Sequence, residues 1–221
     1  MMSKRFDAVI FDMDGTLLNT LDDLADNVNA MLAGRGYPQR SREEVRSFVG
    51  NGVHVLIALS IPGGRENPAF EECLADFIER YQKNLQNKTA PYPGVPEVLE
   101  KLDSLGVKLA VVSNKFDSAV KKINRLYFGE RIPVAVGESE QMRKKPAPDS
   151  VYAALEQMGS ALQGALFVGD SDVDVQTAKN AGLPCVGVAW GFRDSEVLKS
   201  EGADWIINSP EELIGIVEGN A

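Results

Sequence analysis

Cysteine and histidine are scarce in this chain: Cys73, Cys185 and His54 are the only ones among its 221 residues. The two cysteines stand far apart and without a CxxC spacing, which argues against a disulfide framework or a structural zinc site and leaves both as reduced fillers. Positive charge is also short. With 23 Lys and Arg against 32 Asp and Glu the formal charge is −9 and the isoelectric point about 4.8, a balance that disfavours nucleic acid or an anionic membrane as partner. A small phosphate pocket can still be locally positive on such a protein. Long apolar runs are missing too, so no stretch of the sequence is suited to span a bilayer. The basic start, Met1 to Phe6, leads into a short apolar run that meets Asp12, rather than into a signal-peptide core with a small-residue cleavage site. A cytoplasmic protein is the expectation, and neither internal repeats nor low-complexity tracts interrupt it.

What is present is a hydrophobic fraction of 44%, enough for a full core in one or two domains. Apolar, β-branched runs recur at Ala8–Phe11, Leu109–Val112, Val134–Val136, Leu166–Val168, Cys185–Val188 and Trp205–Ile207. Most are separated by segments of helical period, which predicts an α/β fold, a Rossmann-like parallel sheet covered on both faces. The rhythm breaks after Thr16. From about Leu17 to Asn87 the pattern is helical, with Leu21, Leu24, Ala25, Val28, Met31 and Leu32, then Phe70, Leu74, Phe77, Ile78 and Tyr81, at spacings of three and four, and no buried strand is expected there. Pro91-Tyr92-Pro93-Gly94 marks the return to the sheet. The chain therefore divides into a catalytic core of residues 1–16 and 89–221 and an inserted all-helical cap domain of residues 17–88. Asn19 or Thr20 is placed to N-cap the first cap helix, with Asp23 closing a capping box. Asp22-Asp23, Glu71-Glu72 and the mixed run Arg40 to Glu44 read as solvated helix faces or starts without chemistry of their own.

The most informative segment is Val9-Ile10-Phe11-Asp12-Met13-Asp14-Gly15-Thr16. An apolar strand runs into two aspartates one residue apart and then breaks at glycine, so both carboxylates can face one pocket at the carboxyl edge of the sheet. Such a pair attracts a hard divalent cation and can divide the nucleophile and acid/base roles of phosphoryl transfer. Three later segments repeat the strand-to-polar layout. Leu109 to Val112 ends in Ser113-Asn114-Lys115, where a hydroxyl and the backbone N–H that follows can donate to phosphoryl oxygens. Arg143-Lys144-Lys145-Pro146-Ala147-Pro148 holds cations before two stiffening prolines, so one lysine can be kept inward as a clamp while Arg143 and Lys144 read as a solvated turn. Ala165 to Val168 runs into Gly169-Asp170-Ser171-Asp172-Val173-Asp174, a second acidic strand end.

Asp12-Met13-Asp14-Gly15-Thr16 resembles the first motif of the haloacid dehalogenase superfamily, which is mostly phosphatases, and Ser113, Lys145 and Asp170 fall where its later motifs stand. The resemblance covers essentially the whole chain and implies a helical cap for the insertion. It further implies Asp12 as nucleophile, Asp14 as general acid and base, and Lys145 as the lysine that neutralises carboxylates and phosphate. Thr16, Ser113 and Asn114 would bind substrate. Mg²⁺ would be held by Asp12, the Asp14 carbonyl and Asp170, with Asp174 contacting water on the metal or Lys145, and Asp172 pointing outward. Lys115 is open between a source of positive field and a surface residue.

The presence of Asp14 argues against dehalogenases and phosphonate hydrolases, since an alkoxide leaving group needs a proton. Gly169-Asp170, in place of Glu-Asp, favours a phosphatase over a sugar-phosphate mutase. Phe48 to Leu56, which contains Gly50-Asn51-Gly52, and Trp190-Gly191-Phe192-Arg193 with Gly202-Ala203-Asp204 look like bacterial phosphoglycolate phosphatases. Asn19-Thr20 departs from the Asp-Ser common there. Gly50, Asn51 and Gly52 are thus expected in a substrate-binding lid loop, with 2-phosphoglycolate the leading substrate. An inorganic pyrophosphatase, a sugar-phosphate phosphatase or mutase, and a non-enzymatic phosphate-binding protein are the alternatives. The expected partner is a small phosphate ester, and the chain a monomer or homodimer. His54 reads as a cap-surface or pocket-wall residue, and Trp190 and Trp205 as packing at the core edge.

Overall fold

The computed structural model describes residues 4–220. Its centre is a six-stranded parallel sheet made of β1 (Ala8–Phe11), β4 (Lys108–Phe116), β5 (Val134–Glu138), β6 (Ala165–Gly169), β7 (Cys185–Val188) and β8 (Trp205–Ile207). The spatial order is β5-β4-β1-β6-β7-β8. Alternation decides how the sheet is buried: Val9 and Phe11 enter one apolar cluster, while Ala8 and Ile10 enter the cluster on the opposite face. Both faces are therefore covered, by α5 (Val95–Ser104), α6 (Asp117–Tyr127), α7 (Asp149–Met158), α8 (Asp172–Ala181), α9 (Ser195–Glu201) and α10 (Glu212–Glu218). This is the burial that continuous β-branched runs require. The chain leaves β1 for β4 on one side and later returns to its other side with β6, so the crevice outside the ends of these three strands is the switch point at which such sheets bind ligands.

Between β1 and β4 the chain forms the helical cap, with α1 (Leu21–Gly34), α2 (Arg42–Phe48), α3 (Val53–Ser60) and α4 (Phe70–Lys83). The periodic residues read from the sequence supply its interior: Val28, Met31, Leu32, Phe77 and Tyr81 are buried, joined by Val45, Ile57 and Cys73. This interior is continuous with the Val9/Phe11 side of the sheet. Ser41 and Glu44 form a reciprocal capping box at the start of α2, the solvated start expected there. Cys73 and Cys185 are buried free thiols. Among the described residues no helix is long and apolar enough to cross a membrane.

Four local expectations fail. The first crossing, where no buried strand is expected, pairs with the second as a short antiparallel ribbon, β2 (Leu18–Asn19) with β3 (Ala90–Pro91). The capping box at α1 does not form: Thr20 occupies the N-cap position without a side-chain cap bond. Asp23 is not on a polar face but buried, accepting from the backbone N–H groups of Lys88 and Thr89 and from the Thr89 hydroxyl. The physical reason is the second crossing, whose buried donors need an acceptor that its own residues do not provide. Finally, β4 runs on to Phe116, so Ser113, Asn114 and Lys115 lie inside the strand, where its register against β5 shifts between Val112 and Phe116.

Candidate active site

Asp12 and Asp14 follow β1 directly, and Asp170 follows β6, its hydrogen-bonded neighbour. The backbone turns at Gly15, with φ +86°, and a Cβ there would collide with the Asp170 carboxylate. Gly191 lies as close to Asp170 from the other side. Only glycine lets both segments close around this acid. Asp170 is then fixed by the Thr16 hydroxyl on Oδ1, at 3.1 Å, and by the Phe192 N–H on Oδ2, at 2.7 Å.

Lys145 is buried, and its ammonium bridges Asp12 Oδ1 at 2.8 Å and Asp174 Oδ1 at 2.7 Å. Asp174 spends its other oxygen on the N-terminus of α8, where it accepts from Ser171 Oγ and from the N–H groups of Asp170 and Ser171. The Lys145 backbone is held in turn by the Asn114 side chain, which accepts from its N–H and donates to its carbonyl. Ser113 Oγ accepts from the Lys115 N–H, which leaves its own proton free to donate.

A second lysine completes the floor. Lys115 is buried, with Nζ 3.2 Å from Asp14 Oδ2 and donating to Tyr81 Oη of α4 at 2.7 Å. The other oxygen of Asp14 accepts from the Thr20 hydroxyl at 2.7 Å.

The electrostatics follow from burial and crowding. Burial pushes the Asp12 carboxyl up to about 7; Lys145 opposes the rise, and Asp174 and Asp14 add to it. Burial likewise carries Asp170 well above the carboxylate range, with Asp174 and Asp12 as further causes. Burial works against both lysine ammoniums, yet Asp12 and Asp174 hold Lys145, and Asp14 and Tyr81 hold Lys115, above the usual lysine value. Burial also pushes the Tyr81 phenol up to about 12, which keeps it neutral. Asp12, Asp170 and Asp174 bring oxygens within 4.8 Å of one another. Four aspartates here face two lysines, a deficit of cations that adds to the rise at Asp12 and Asp170. An all-oxygen donor set with that deficit fits a hard divalent cation.

These groups form the floor of a cavity open to solvent, whose roof is the cap. Across 180 residues, 9–188, the sequence matches the haloacid dehalogenase-like hydrolase family. The chain belongs to the haloacid dehalogenase-like hydrolases. A relative at 33% identity over 220 residues is the N-acetylmuramic acid 6-phosphate phosphatase of Pseudomonas aeruginosa, with 99% of this chain and 97% of that one covered. The phosphoglycolate phosphatase of Chromobacterium violaceum is also 33% identical over 220 residues, covering 97% and 98%. Among solved structures, a "predicted phosphoglycolate phosphatase" from Haemophilus somnus 129pt superposes with a TM-score of 0.89 at 31% identity, covering 98% of this chain and 99% of that one.

In this haloacid dehalogenase-like hydrolase, Asp12, Asp14, Ser113, Asn114, Lys145 and Asp170 all line the cavity, as do Gly50 and Gly52. The Thr16 hydroxyl is turned to Asp170, and the Asn51 carbonyl accepts from Lys144 Nζ. Lys144 is therefore not a plain solvated residue; like the Asn114 side chain, which donates to the Gly50 carbonyl, it ties the lid loop to the core. Arg143 is exposed and pairs with Asp149. Asp172 meets Arg193 at 3.4 Å. His54 is exposed on α3. The sequence reading takes Thr20 as a helix cap and Tyr81 as part of an apolar stripe and misses their place at the site, since their contacts to Asp14 and Lys115 join segments that no local pattern links.

Proposed function

We propose that this hydrolase is a Mg²⁺-dependent phosphatase that cleaves small phosphate monoesters through an aspartyl-phosphate on Asp12. The observation that carries the reading is the division of the two aspartates. Asp12 has one oxygen fixed by Lys145, while no described residue bonds its Oδ2. Asp14 stands two residues on in a separate hydrogen-bond set. An Asp12 carboxylate oxygen forms a bond to phosphorus as the ester oxygen departs, and Asp14 gives that oxygen a proton. Asp14 then takes a proton from water as the water oxygen bonds to phosphorus and the bond to Asp12 breaks. Ser113 Oγ, the Asn114 backbone N–H and the Lys145 ammonium hold the remaining phosphoryl oxygens. Asp12, the Asp14 carbonyl and Asp170 would hold Mg²⁺, which supplies positive charge against the phosphoryl oxygens when bound. Asp174 orients Lys145, and Thr16 acts through Asp170.

The finer assignment suggested by the sequence is 2-phosphoglycolate, with Gly50-Asn51-Gly52 closing over it. The relatives support the class and give two substrates within it, phosphoglycolate and N-acetylmuramic acid 6-phosphate. The test is phosphate release from p-nitrophenyl phosphate and 2-phosphoglycolate, with and without Mg²⁺, for the natural protein and Asp12→Asn. Release that needs Mg²⁺ and vanishes in the variant is expected. Undiminished release after exhaustive chelation would remove the metal, and near-normal release from Asp12→Asn would remove the nucleophile.

A further inference from the structure

The cavity has two unlike walls. Its floor is polar, while the cap supplies Leu24 from α1, Val49 before α3, Val53 and Leu56 from α3, and Phe77 from α4, with Phe116 of the core beside them. The sole side-chain polar atom the cap brings is the Tyr81 hydroxyl, and Lys115 occupies it.

No cation lining the cavity is left over for a second anionic group. Lys145 is bound to Asp12 and Asp174, and Lys115 to Asp14. The Arg193 guanidinium donates to the carbonyls of Arg46, Ser47 and Val49 and pairs with Asp172, so its charge is spent on the end of α2. The backbone N–H groups that open α3 carry no side-chain cap. Two side chains of opposite kind flank that helix start: Glu138 Oε2, buried and without a partner, lies 2.9 Å from where a Cβ on Gly52 would be, and the Lys144 ammonium, which donates to the Asn51 carbonyl, lies 3.6 Å from the same point, so no unopposed cation faces an anion there. A neutral carbonyl or hydroxyl oxygen can still accept there.

We infer that the part of the substrate beyond the phosphate is an uncharged, partly apolar alcohol, and that a carboxylate in that position is discriminated against. The inference rests on the phosphatase reading and narrows it. A phosphate dianion is met by the floor, but a carboxylate pressed against Leu24, Val53, Leu56 and Phe77 loses its water to side chains that offer no counter-charge. An alkyl or amide group in the same place loses little and buries apolar surface.

The test compares kcat/KM for 2-phosphoglycolate, for its neutral isostere 2-phosphoglycolamide and for n-propyl phosphate, with p-nitrophenyl phosphate as the reference for turnover itself. The two neutral esters are expected to exceed 2-phosphoglycolate by about tenfold or more, chiefly through KM. Parity within about threefold, or a preference for the carboxylate, overturns the inference while p-nitrophenyl phosphate turnover keeps the phosphatase reading. Absence of turnover on all four overturns both. The variant Val53→Lys adds a cation at a half-buried roof position. It should shift the kcat/KM ratio of 2-phosphoglycolate to n-propyl phosphate toward the carboxylate by about tenfold, with folding checked by circular dichroism. If that variant misfolds, Leu24→Lys repeats the measurement from α1. An unchanged ratio in a folded variant counts against the roof as the discriminating wall.

Discussion

Asp12 and Asp14 are two residues apart, but they belong to different parts of the molecule. Asp12 is bonded to Lys145, which is held in turn by side chains of the sheet domain, Asp174 at the start of α8 and Asn114 of β4. Asp14 is bonded instead to Thr20, at the first crossing into the cap, and to Lys115, which is held by Tyr81 of α4. The proposed nucleophile thus reaches the cap indirectly, through the Asn114 side chain that holds the Lys145 backbone and donates to the Gly50 carbonyl, whereas the proposed acid is completed by side chains of the cap itself. A hinge movement that withdraws α4 takes away the phenol and leaves Lys115 to Asp14 alone. With the proposed roles, closure then bears on the proton-transfer side more directly than on the attacking oxygen.

The widest test of that contrast is at Asp12. Asp12→Asn should cut turnover by more than about a thousandfold with the circular dichroism spectrum and cap packing unchanged, because the amide keeps the shape and loses the charge. Lys145→Met should follow closely in activity and exceed it in stability loss. It leaves Asp12 and Asp174 buried without their shared ammonium, at a cost of about 3–5 kcal/mol, read as a lowered midpoint of urea unfolding. A midpoint equal to that of the natural protein would mean that the acids are not charged together in the folded state.

Asp170→Asn sharpens the contrast from the opposite direction. It should abolish the rise in melting temperature on adding Mg²⁺, since the amide cannot offer the cation a charged oxygen. A Mg²⁺ response retained in full would place the cation elsewhere. The smallest effects are expected on the Asp14 side. Tyr81→Phe and Thr20→Val should each lower kcat about three- to tenfold for alkyl phosphates, and less for p-nitrophenyl phosphate, whose leaving group needs no proton. Equal losses on both substrates would detach Tyr81 and Thr20 from the acid and make them simple packing.

The parts of this arrangement that were legible in the sequence are those with a local cause. The strands announce themselves because burial on both faces demands unbroken apolar runs, and Asp12, Ser113 and Asp170 are legible because each comes where such a run turns polar. The cap helices are legible from spacings of three and four. Asp23, Lys115 and Arg193 were not, since their partners lie far along the chain and two of the three bind backbone groups, which every residue carries. The ribbon of β2 and β3 was hidden for another reason: two residues are too few to show a period of two.

That ribbon has an evolutionary side. Leu18 lies opposite Pro91 and Asn19 opposite Ala90, so the chain enters and leaves the cap at neighbouring points about 5 Å apart, the spacing of paired strands. An insertion whose ends meet imposes no span on its contents. Helices between residues 21 and 88 can be lengthened, exchanged or lost without altering the distance the parent sheet must bridge, as in the insertion of a whole domain at a surface turn. Selection on substrate can therefore redraw the roof of the cavity while the strand ends that carry Asp12, Lys145 and Asp170 stay as they are.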